Sequence, residues 1–156
     1  MDIQAQVQQL IDESPPDAAA QEGVRVVAVV LGEVAQMFSH LQYYVLQNFD
    51  QQWQITTLQH RAQDVEKTAL YAYGQLADAT KMGRSDDLIA VPVPTVQLLF
   101  QFFSFNGVES LLVVDELKNP EKIQELKRED LQTLVENALQ QQLKPHESEE
   151  PEIYLA

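Results

Sequence analysis

The groups with reach toward acid–base or metal chemistry are few: three histidines, two carboxylate pairs in loop-like segments and an acidic stretch near the C-terminus. His60 and Asp64 stand one helical turn apart, and His40 and His60 would meet across a hairpin. Either pair supplies fewer ligands than a metal centre takes, and no His-Glu-x-x-His spacing occurs. His146 falls in the acidic stretch and is expected to be solvated. Asp86-Asp87 and Asp115-Glu116 are of the type that holds a cation or acts as acid and base. Adjacent side chains leave the backbone in different directions, so both pairs are expected to be solvated loop charges. The chain has no cysteine, which removes thiolate nucleophiles and cysteine-based metal sites. Its five glycines stand singly, so no glycine-rich nucleotide fingerprint exists, and there is no Gly-x-Ser-x-Gly elbow. The residues predict no catalytic group, no cofactor and no metal.

Whatever these side chains do, secondary structure must hold them. Ile3, Val7, Leu10 and Ile11 recur at helical spacing. Ser14-Pro15-Pro16-Asp17 ends that helix and opens a longer one over 16–40, with Ser14 as N-cap and Pro15 in the first helical position. Two aromatic and β-branched runs, 43–46 and 53–58, flank a turn-like 48–52 and predict a hairpin over 43–58. Residues 60–66 read as loop, 67–73 as a third strand ended by Gly74, and 75–82 as one or two helical turns. A short strand over 88–91 should stop at Pro92 and Pro94. A helix follows over 95–105, closed by Asn106-Gly107, then a strand over 108–114. Ile123, Leu126, Leu131, Leu134, Val135 and Leu139 predict a C-terminal helix over 121–143.

Strand–helix–strand–helix–strand over 67–114 implies right-handed crossovers and parallel strands. The hairpin adds antiparallel ones. The predicted fold is α+β: a mixed sheet of about five strands covered by two N-terminal helices (2–12 and 16–40) and one C-terminal helix. An all-helical bundle would need 43–58 to be helical against its composition. With 156 residues, 45% of them apolar, one domain over 1–143 can build its own core. Residues 144–156 form an acidic, proline-containing tail expected to lack structure.

Twenty-four acidic residues against ten Lys and Arg give a formal net charge of −14. That charge repels phosphate backbones and anionic lipid, so neither nucleic acid nor a membrane surface is an expected partner. The longest apolar stretches, 24–31 and 96–105, are too short to span a bilayer, and the first residues lack the pattern of a secretory signal. A cytoplasmic protein is the expectation.

Several segments together resemble a known family. They are Tyr43-Tyr44-Val45-Leu46 with Trp53-Gln54-Ile55-Thr56-Thr57-Leu58, Leu70-Tyr71-Ala72-Tyr73-Gly74-Gln75-Leu76, Val91-Pro92-Val93-Pro94 leading into Leu98-Leu99-Phe100, and Gly107 to Asp115. Over about 40–118 the pattern resembles the N-terminal domain of the enhanced-serine-sensitivity family of small bacterial α+β proteins. The chain departs from it in opening with two extra helices and in lacking the glycine such domains often carry after the last strand. The resemblance implies a non-enzymatic domain and transfers no functional residue.

The helix over 95–105 is apolar nearly all round, whereas one buried stripe covers little more than 100°. Either it lies between the sheet and the N-terminal helices, or Phe100, Phe102, Phe103 and Phe105 present a patch to a partner. Ile153-Tyr154-Leu155 has the character of a short docking motif, although a frayed end is the simpler reading. A small ligand would sit beyond the carboxyl ends of the parallel strands, near Tyr73, Gly74, Thr95, Asp115 and Glu116. The expected function is a non-catalytic interaction or regulatory module whose partner is a second copy or a protein with a basic surface. The alternative is a small-molecule binder or enzyme using that crevice.

Overall fold

The computed structural model describes residues 2–60, 65–83 and 87–155, with side chains at all of these but 60, 65 and 142–155. Asp2 caps α1 (Ile3–Asp12), its carboxylate accepting the Ala5 N–H at 2.8 Å. The next helix, α2 (Ala18–Ala35), is shorter than expected at both ends. Asp17, not Ser14, is its cap, and the Ser14 hydroxyl donates back to the Ile11 carbonyl. The reason is Pro16, which bars the residue before it from helical geometry and delays the start. At the other end the chain leaves the helix so that Phe38 can pack edge-on against Tyr43, ring centres 6.3 Å apart.

Six strands follow: β1 (Gln42–Gln47), β2 (Ile55–His60), β3 (Val65–Tyr73), β4 (Ile89–Pro94), β5 (Ser110–Val114) and β6 (Ile123–Lys127). Between them lie α3 (Leu76–Met82) and α4 (Thr95–Ser104), and α5 (Arg128–Leu155) closes the chain. The sheet runs β4-β1-β3-β5-β6, with β2 also on β3. Among the described residues only β3 and β5 pair parallel, so the sheet is mixed and the class is α+β. Strands at 43–58 exclude the all-helical bundle.

The hairpin expected over 43–58 does not form. β1 and β2 share one edge of β3, because β5 holds the other edge opposite both. They are one strand line interrupted by the loop 48–54, which folds back on itself. There Asn48 accepts the N–H groups of Asp50 and Gln52, and Gln51 takes a φ of 65°. A single bridge, Gln47 to Trp53, is all that remains of the hairpin. Composition finds strands but does not say which neighbour they choose.

Four boundaries also differ. β2 runs through His60 and β3 starts at Val65, so part of the expected loop 60–66 is strand. β4 continues through both prolines because it is an edge strand. Proline has no N–H, so the residues between them carry the ladder to β1, and the outer edge loses donors. Residues 123–127, expected in the C-terminal helix, form β6 on β5. Their apolar spacing fits either state, and the backbone groups along β5 need a partner. α5 extends through 144–155, the tail read as unstructured from its composition.

The pleat sorts side chains onto two faces. Tyr43, Val45, Leu70, Ala72, Leu111 and Val113 join α2, α4 and α5 residues in the main core, which includes Leu31, Leu98, Phe102 and Leu131. Tyr44, Leu46, Tyr73 and Val114 pack with α3 on the other face. Among the described residues no helix is long and apolar enough to cross a membrane.

Candidate functional site

At the carboxyl ends of β3 and β5 the chain builds a compact polar cluster. Gly74 donates its N–H to the Val114 carbonyl at 2.8 Å, continuing the parallel pairing by one residue. Asp115, 8% exposed, accepts the Tyr43 hydroxyl on Oδ1 at 3.0 Å. His40 Nε2 lies 3.8 Å from the same oxygen, and its ring stands edge-on to Tyr43 at 5.4 Å. A Cβ at Gly74 would come within 2.7 Å of His40 Nε2, so glycine at 74 lets the imidazole keep its place. Thr95, fully buried at the start of α4, donates its hydroxyl to the His40 carbonyl and its N–H to the Leu41 carbonyl. Gln6 of α1 ties the same corner, donating to the Leu41 carbonyl while accepting the Val96 N–H.

Of the five expected crevice residues, Gly74, Thr95 and Asp115 are gathered here. Tyr73 is not, because the pleat turns it to the opposite face, where it stacks on Tyr71 at 6.2 Å beside α3. Glu116 is the solvated loop charge expected, but Asp115 is not: it is buried on the Tyr43 hydroxyl, because adjacent side chains leave the backbone in different directions. His40 and Tyr43 belong to the cluster but were not singled out with it in the sequence. Their contact with Asp115 spans 72 residues for Tyr43, and no local spacing signals it. Chemically the cluster is a clasp: a buried carboxylate holds a phenol and faces an imidazole, fixing the linker between α2 and β1 to the strand ends. Among the described residues no three His, Asp or Glu gather as a metal site. Asp86, Asp64 and the side chains of His60 and His146 lie outside the described residues.

Both tyrosines resist ionisation. Burial, then the bond to Asp115, pushes the Tyr43 phenol up, and burial with Tyr71 and Asp78 nearby pushes Tyr73 to about 12. In the unfolded chain these phenols titrate near pH 10 (about that of free tyrosine). The stabilising contribution is therefore present below pH 10 and is lost as pH rises toward 12. Tyr73→Phe should flatten the fall in urea-unfolding free energy between pH 10 and pH 12. An unchanged slope would contradict this.

The four phenylalanines of the second candidate region divide. Phe102 is fully enclosed, and Phe100, Phe103 and Phe105 are half-buried against the main core. α4 packs against α1, α2, α5, β1 and β4, so most of its circumference is covered within one chain. Gly107, at φ 90°, turns the chain from this helix toward β5. The chain matches no protein-family model, no curated protein and no solved structure.

Proposed function

We propose that the chain is a non-catalytic protein-interaction module that receives its partner along the exposed flank of α4. One observation carries this: two concavities of about 320 and 470 Å³ flank α4 there and both are lined by Gln101. Phe100, Leu10 and Pro15 wall the first. Trp53 and Phe105, edge-to-face at 5.8 Å, wall the second, with Gln51 and Gln52 at its rim. Aromatic walls with neutral amides resemble the centre of an interface more than a solvated surface. Phe49, 71% exposed, stands on the same loop as Gln51 and Gln52.

The charge selects the partner. Two copies at −14 each repel one another, whereas a protein with a basic surface is drawn in, chiefly through a faster on-rate. The resemblance of 40–118 to a family domain without a catalytic signature supports the same reading. The proposed compartment is the cytoplasm, with which a chain free of cysteine is compatible.

Gln101→Arg tests the proposal, because it places bulk and charge where the two concavities meet and removes no core side chain. Affinity capture from native extract, followed by titration of the captured protein, should show binding weakened about tenfold or more. Lys122→Gln, on an exposed turn away from the groove, should bind like the original chain. Equal capture by both variants would rule this surface out.

A further inference from the structure

A cavity of about 450 Å³ opens where the start of β5, the strand β3 and the first turns of α5 meet, at the opposite end of β5 from Asp115. Its size lies in the range of small-molecule sites. Lys67, Lys127 and Arg128 line it, three of only ten Lys and Arg in a chain of net charge −14. Cations gathered on one concave surface of so acidic a protein mark a place suited to hold negative charge.

Arg128 is the anchor. Its Nε and Nη2 donate to the Phe103 carbonyl at 3.3 and 3.2 Å, and Nη2 reaches Asn106 Oδ1 at 3.4 Å. These acceptors are neutral, so the guanidinium is oriented while its charge stays available. Lys67 is placed by an ion pair with Glu125, whose Oε2 also accepts the Ser110 hydroxyl at 2.6 Å. Those two bonds, Lys67 first, hold the Glu125 carboxyl below its usual range. Lys127 stands at the exposed end of β6. The Arg128 N–H donates to the Glu109 carbonyl at 2.8 Å, which locks the start of α5 onto the loop before β5.

The same cavity is lined by Glu109, Glu129 and Gln132. The two carboxylates would repel a bare dianion, but they and the Gln132 amide oxygen are good acceptors for hydroxyl donors. We propose that the cavity binds a phosphorylated sugar or polyol, with the phosphate on Lys67, Lys127 and Arg128 and the hydroxyls on Glu109, Glu129 and Gln132. No glycine-rich loop is needed, because the cations come from three separate elements. The site is distinct from the flank of α4 and stands or falls independently of it.

The test is a titration of ¹⁵N-labelled protein with glucose 6-phosphate, inorganic phosphate and glucose, read by backbone amide shifts. Saturable shifts confined to 66–68, 107–110 and 127–132 are expected, with glucose 6-phosphate at least about tenfold tighter than inorganic phosphate. Lys127→Gln should weaken binding about tenfold, the loss of one charged hydrogen bond, while Lys122→Gln leaves it unchanged. Arg128→Gln also frees the Phe103 carbonyl and can unsettle the fold, so the Lys127 variant is decisive. No saturation at millimolar ligand, equal affinity for phosphate and the sugar phosphate, or shifts spread over Lys118 and Lys122 would each overturn the proposal.

Discussion

Phe102→Ala is expected to lower the unfolding free energy by about 3–5 kcal/mol, measured by urea denaturation. Phe102 is fully enclosed and belongs to the main core, which draws on α2, α4, α5 and the sheet. Removing the ring loses its transfer free energy and leaves a void that four elements must collapse around, which they can do only in part. Native domains hold a margin of roughly 5–15 kcal/mol, so this one change removes a large share of it. Replacing half-buried Phe105 should cost distinctly less, since part of its ring already meets solvent. Equal losses at 102 and 105 would show that the interior is not where the fold places it.

Leu131→Ala is expected to cost about 2–5 kcal/mol, while Leu134→Ala should stay within about 0.5 kcal/mol. Both residues sit on the apolar face that the sequence alone gives to the C-terminal helix. In the structure Leu131 is fully buried with Val135, and Leu134 is 48% exposed. The contrast measures the rotation of α5 against α2 and α4, which it contacts. A large loss at Leu134 together with a small one at Leu131 would mean that α5 docks through a different face.

These two residues show why local pattern stops short. A helical stripe of Leu131, Leu134, Val135 and Leu139 says that one side is apolar, but the side that meets the core depends on where the helix begins. α5 begins at Arg128, later than spacing suggests, because 123–127 are taken up by β6. Strand identity was similarly readable at 43–46 and 53–58 from aromatic and β-branched residues. Partner choice was not, since Ile55 pairs with Leu70 and Tyr44 with Tyr73 on one edge of β3. In the polar cluster, Gly74, Thr95 and Asp115 could be located because strand ends are legible in one dimension. His40 and Tyr43 could not, since they reach Asp115 only through the folded sheet.

The amino acids by themselves determined the α+β class, the alternation of strand and helix from 67 to 114, the acidic surface and the lack of thiol or glycine-loop chemistry. Each of these follows from residue type or short-range periodicity, which act over a few residues of chain. Tertiary structure alone decided that Tyr73 turns away from Asp115, that two prolines lie within an edge strand, that Phe102 is enclosed, and that Lys67, Lys127 and Arg128 line one cavity. These outcomes depend on which elements become neighbours. That choice is made by packing and by pairing of backbone groups across the whole domain, interactions that no stretch of sequence contains.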